Sequence, residues 1–165
     1  MSVNTSFYVN SSTVGVDLNN TNTTAQFSVG TRVNGSSDSL WVYVEANGVM
    51  TTGDLVTITT AGTATRCLTS GGSNAALSDI AFAQTAFADG EYGWVLKNGA
   101  NVYVAVSSTA ALSAVLYVAT SSGKLSTTSA SGTLMGVSLL AAVATATTTV
   151  TNANVTWPKW ANTGN

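Results

Sequence analysis

Apolar and polar residues alternate with a period of two in one segment after another, while i, i+3, i+4, i+7 stripes are hard to find. Ser and Thr dominate and Val is abundant, a composition that suits a pleated, half-buried surface. The pattern predicts strands at 26–33, 40–46, 55–60, 65–69, 80–85, 92–97, 101–107, 114–120, 124–127, 134–140 and 147–156. Short strands at this spacing, with turn signals between them, predict an all-β chain: a small β-barrel or sandwich of short antiparallel strands.

Two turns stand out. Asn98-Gly99 lies between strand-like runs and predicts a two-residue type I′ hairpin, because that turn needs positive φ at both central residues. Such a hairpin would place Trp94 opposite Tyr103, Tyr92 opposite Ala105 and Val95 opposite Val102. A second hairpin is expected at Ser121-Ser-Gly-Lys124, with Gly123 in the left-handed position. Pro158 should end the last strand.

A weak internal repetition runs through these elements. Gly53-Asp-Leu-Val-Thr-Ile, a turn, Ile80-Ala-Phe-Ala and Tyr92-Gly-Trp-Val form one series. Ala114-Val-Leu-Tyr-Val-Ala, Ser-Ser-Gly-Lys, Leu134-Met-Gly-Val and the run 147–157 form another. Two halves closing on each other would remove sheet edges, which a chain with little charge needs in order to avoid uncontrolled pairing.

Residues 1–35 read differently. Asn, Thr and Ser dominate, with Phe7, Tyr8, Val9, Val14, Val16 and Leu18 as spaced apolar points. A free tail has little use for such anchors, whereas an extended N-terminal arm that lies across a partner would use them. The organisation expected is an arm at 1–35, a β-barrel domain at 36–160 and a tail at 161–165.

Composition narrows the chemistry. Charged residues are only 7% of the 165, against about 25% in an ordinary soluble domain. Net charge is −2, and the five basic residues are scattered, so no phosphate-tracking footprint for nucleic acid is present. The first residues show no basic and apolar signal segment, so secretion is not expected. The stretch 125–158 lacks charge, but Gly136, Ser138 and Thr147 to Thr149 break its apolar run, so two strands are expected rather than a membrane span. Cys67 is the one cysteine and reads as a buried structural thiol.

With no histidine, Ser–His and Cys–His nucleophiles are excluded. A Ser126–Lys124 dyad sits beside a tight turn and reads as turn structure. Asp89 and Glu91 are two apart and could project to one side, with Asp54 or Asp79 joining them, but Asp89-Gly90 reads first as a turn. Asp17-x-Asn19-x-Thr21 lacks the glycine and the bidentate glutamate of a calcium loop. No cofactor and no metal are expected. Trp41, Trp94, Trp157 and Trp160 are candidates for stacking on sugars or anchoring interfaces. Trp41 and Trp94 lie inside strands and read as packing, whereas Trp157 and Trp160, flanking Pro158, are the aromatics placed for a partner contact.

In order, Gly53-Asp-Leu-Val, Ile80-Ala-Phe-Ala-Gln, Tyr92-Gly-Trp-Val, Leu116-Tyr-Val-Ala-Thr-Ser-Ser-Gly-Lys-Leu and Leu134-Met-Gly-Val resemble the capsid decoration (cement) proteins of tailed bacteriophages. Within these they are most similar to the small β-barrel head proteins of the DUF2190 type. The resemblance spans about residues 40–158. It implies a non-enzymatic virion protein, made in the host bacterial cytoplasm and seated on the outer capsid surface as a homotrimer that bridges major capsid protein subunits. The arm lies outside the resemblance; its apolar points suggest a grip on neighbouring decoration subunits or on the capsid. Neither nucleic acid nor membrane is expected as a partner. The competing readings are a head-fibre or receptor- and glycan-binding β module, a surface protein that assembles by strand addition, and a polysaccharide-degrading enzyme.

Overall fold

The computed structural model describes residues 16–67, 79–119, 123–128 and 133–161. Among these, ten strands form the whole of the regular structure: β1 (Arg32–Asn34), β2 (Leu40–Ala46), β3 (Leu55–Ile58), β4 (Thr63–Arg66), β5 (Asp79–Ala83), β6 (Tyr92–Val106), β7 (Leu116–Val118), β8 (Leu125–Ser126), β9 (Thr133–Leu139) and β10 (Thr149–Ala161). The chain is all-β, and no described helix is long and apolar enough to cross a membrane.

The pairings form two rings. In the first, β2, β4, β3, β5 and β6 follow one another, and β6 returns to β2. In the second, β6, β10, β9, β7 and β8 do the same, and a short parallel contact, Val106 with Leu125, closes β8 onto β6. Each ring has one parallel contact, and its other pairs are antiparallel. Closure makes barrels, not a sandwich, and leaves β1, outside both rings, paired on one side only.

The rings are copies of one another in register. Val42 pairs with Val95 as Val102 pairs with Ala153, and Tyr43 with Trp94 as Tyr103 with Asn152. Ala46–Ala64 corresponds to Val106–Leu125, and Ile58–Ala64 to Val118–Leu125. Even the isolated bridges match, Met50–Phe87 with Ala110–Val143. The repetition in the sequence is therefore structural. The halves do not close on each other, however; each closes on itself and both use β6.

A strand can serve two barrels because its side chains alternate between faces. Val95 on one face fills the first barrel with Val42, Val44, Met50, Val56, Ile58 and Phe87. Trp94, Leu96, Val102, Val104 and Val106 on the other face join the second core, which continues through Leu116, Val118, Leu125 and Val155.

This sharing explains the main departure from the sequence reading. Asn98-Gly99 is not a hairpin: β6 continues through it with a register shift on either side, and neither residue has a positive φ. A hairpin would have paired the halves of β6 with each other. Instead the first half pairs with β2 and β5, and the second with β10. Trp94 and Tyr103 consequently lie on opposite faces. Gly99 is small because a Cβ there would come within 3.2 Å of the Ser39 Cβ.

Two smaller differences follow from long-range packing. Of the predicted strand 26–33 only Arg32 and Val33 are strand, within β1. Residues 16–31 instead form a strap over the outside of the first barrel. Leu18 is fully buried, and the Phe27 ring meets Tyr43 at 5.3 Å and Trp94 at 5.4 Å. Pro158 does not end β10, which continues to Ala161. The register slips between Val155 and Lys159, so the proline occupies a bulge where no ladder bond needs its missing N–H. The second hairpin matches expectation: β7 and β8 pair antiparallel, and Gly123 has φ 66.

Candidate interaction surface and the Trp157 groove

The residues weighed as chemical groups are each engaged in contacts within the chain. Asp54 is fully buried and ion-paired to Lys124, which also donates to Thr51 Oγ1 at 2.6 Å. Lys124 is thereby turned away from a dyad with Ser126, whose hydroxyl accepts the Thr128 N–H at 3.0 Å. Asp89 Oδ1 accepts the Gly48 N–H at 2.6 Å, and Glu91 Oε2 accepts the Ala88 N–H at 2.8 Å, so both carboxylates tie down loops at the mouth of the first barrel. Asp79 lies elsewhere, between Arg32 and Lys97, at 2.7 Å from each. Asp17 caps its own turn, accepting from the Asn19 N–H at 3.0 Å and the Asn20 amide at 2.7 Å. Among the described residues no cluster of three metal-ligating side chains occurs.

Cys67 is buried, and desolvation raises its thiol pKa from 9.0 to about 11. Such a thiol stays protonated and inert at neutral pH. Trp41 and Trp94 are core residues, as their positions in strands indicated.

The residues singled out as partner contacts divide into three groups. Phe7, Tyr8, Val9 and Val14 lie outside the described residues. Val16 and Leu18 pack on the chain's own core rather than facing outward. Trp157 is exposed, at 53%, in the bulge of β10. Trp160 lies in β10 with its backbone paired to Leu134.

Exposed apolar side chains reveal an asymmetry that the sequence pattern did not. Of the eight large hydrophobics exposed among the described residues, six belong to the second half: Leu112, Val115, Met135, Leu140, Val150 and Trp157. Residues 98–158 contain a single charged side chain, Lys124, and it is held by Asp54. The first barrel covers its corresponding face with its own strap. Asn22 bridges to Tyr92, Gly30 N–H donates to Tyr43 O at 2.7 Å, and Tyr43 N–H donates to Thr31 O at 2.8 Å. On the second barrel the register equivalents of Tyr92 and Trp94 are Val150, exposed at 46%, and Asn152, half-buried. Only the paired register could have disclosed this difference, since it depends on knowing which residues are equivalent.

At one border of this face lies a groove of about 360 Å³, lined by Ser37, Asn98, Gly99, Ala100, Asn154, Val155, Thr156 and Trp157. Its wall is built by Asn98, whose Nδ2 donates to Asp38 O at 2.9 Å and whose Oδ1 accepts the Trp157 N–H at 3.3 Å. Lys97 Nζ lies 5.8 Å from the centre of the Trp157 ring. No family model, curated protein or solved structure matches this chain.

Proposed function

We propose that this chain is a structural virion protein that binds the outer surface of a tailed-phage capsid and stabilises the shell by bridging major capsid protein subunits. The observation that supports this reading is the contrast between the two barrels. One covers its outer face with residues of its own chain, whereas residues 98–158, which form most of the other, carry exposed Leu112, Val115, Leu140 and Val150 and no charged side chain but the ion-paired Lys124. Exposed apolar side chains with little charge among them support a surface that a partner covers. A layer of many copies then needs only modest single contacts, because multivalency multiplies them. Contacts made without ion pairs are also insensitive to salt.

In this reading the functional unit is a homotrimer on the virion surface, its N-terminal arm reaches neighbouring subunits, and it carries no catalytic activity. Incubation of the purified protein with expanded capsids that lack it, imaged by cryo-electron microscopy, tests the proposal. A stoichiometric outer layer and a higher disassembly temperature are expected. Capsids left bare at saturating protein would overturn it. Sedimentation of the free protein checks the trimer.

A further inference from the structure

All non-glycine residues of positive φ among the described residues belong to one neighbourhood. Ser37 (φ 55) and Asp38 (φ 56) form the turn between β1 and β2, Asn101 (φ 56) lies in β6, and Trp157 (φ 46) lies in the β10 bulge. Asn98 links the turn to the bulge through the two hydrogen bonds described above. Asn and Asp tolerate the left-handed region, but a bulky aromatic there is an outlier that persists only where its surroundings dictate it. Bulges of this kind re-aim a side chain. Here the result is an indole held at the surface beside a concave wall.

The chemistry of that wall is specific. None of the eight residues lining the groove is charged. The nearby Lys97 shares the Asp79 carboxylate with Arg32, each at 2.7 Å, and it approaches the indole at cation–π distance without lining the groove. Exposed Ser37, Asn154 and Thr156 line the groove with Trp157 and bring polar side chains to it. We propose that the Trp157 groove binds a neutral saccharide. The C–H face of a pyranose ring stacks on the indole, and its hydroxyls exchange hydrogen bonds with Asn154, Thr156 and Ser37. Nucleic acid would require cations aimed at phosphates, and an acidic sugar would need a cation lining the groove. A protein anchor would set Trp157 among apolar neighbours that dry it completely; here Trp157 stays 53% exposed, and Ser37, Asn98, Asn154 and Thr156 line the groove beside Gly99, Ala100 and Val155. The groove volume falls at the low end of small-ligand sites, which suits one or two sugar rings.

This inference stands independently of the capsid reading. The test titrates the full chain with neutral oligosaccharides of gluco, galacto, manno and N-acetylglucosamine type, followed by tryptophan fluorescence and saturation-transfer NMR. At least one series should bind with transfer to pyranose C–H protons, and Trp157→Ala should weaken it at least about tenfold. Asn154→Ala leaves the bulge intact and should weaken binding severalfold, which keeps the test valid if the tryptophan variant folds poorly. Absence of binding by every series at tens of millimolar sugar, or binding unchanged in both variants, overturns the proposal. Loss of capsid binding in Trp157→Ala without any sugar binding would assign the groove to a protein contact and overturn it too. Sugar binding by a protein that leaves capsids bare would support this site while removing the capsid reading.

Discussion

Asp54 and Lys124 meet at the joint between the two barrels. The buried carboxylate takes the ammonium on Oδ1, while Oδ2 accepts the Thr51 N–H at 2.7 Å and the Thr51 hydroxyl at 3.1 Å. Beside the pair, Leu55 N–H donates to Gly123 O at 2.7 Å, so the Gly53-Asp54 and Gly123-Lys124 turns clasp each other. Removing one partner leaves a buried charge uncompensated, and Lys124→Met should cost about 3–5 kcal/mol. The double variant Asp54→Leu/Lys124→Met should recover most of that loss. Urea unfolding of the wild type, both single variants and the double variant measures the coupling directly; additive losses would show that the pair contributes nothing as a pair.

Cys67 gives the chain a basic-side sensitivity. Its folded pKa is raised from 9.0 to about 11 by burial, so the neutral thiol is the form the fold prefers. The corresponding stability is fully present below pH 9 and is lost as pH rises toward about 11. A two-unit shift corresponds to at most about 2–3 kcal/mol. Cys67→Ala should flatten this part of the pH–stability curve, and the native protein should react with a thiol reagent only as fast as it opens.

Gly53 brings the backbone of one barrel against β6 in the part that walls the other. It has φ +86, and a Cβ there would lie 2.6 Å from the Ala105 nitrogen. Its own carbonyl accepts the Ala105 N–H at 2.9 Å. Gly53→Ala should therefore destabilise by at least about 2 kcal/mol, from the left-handed backbone and the clash together. Gly90 also has positive φ but open space around its Cβ position, so Gly90→Ala should cost only the backbone part. Thermal unfolding of the two variants separates strain from crowding.

The exposed face of the second barrel can be altered without touching the core. Val150→Asp and Leu112→Asp replace exposed side chains and should shift stability by no more than about 0.5 kcal/mol. Capsid binding should fall sharply in the double variant, read by co-sedimentation with expanded shells. The strap offers the control, since Val29→Asp lies on the first barrel, at 36% exposure, and should leave binding intact.

The period of two made the strands legible, and β2 has the bounds 40–46 that its alternation in Leu-Trp-Val-Tyr-Val indicates. Local turn chemistry was a weaker guide. Asn98-Gly99 carries a strong hairpin signal, yet long-range pairing of both halves of β6 outweighs it, and the amide serves to hold Asp38 and Trp157 instead. Pro158 shows the same limit, since a bulge can hide the bond it lacks. The exposed Trp157 was legible from the breaker beside it. Its groove was not, because Ser37, Asn98 and Asn154 are far apart in the chain and only the fold assembles them.

A strand that walls two barrels leaves the molecule one way to come apart. Neither half owns a complete set of staves, so opening one ring exposes the shared wall of the other. A load applied to the outward face of the second barrel passes along β6 into the first, and through Asp54 and Lys124 at the joint. The two cores must yield together or not at all, which makes the chain a single mechanical element with two ends.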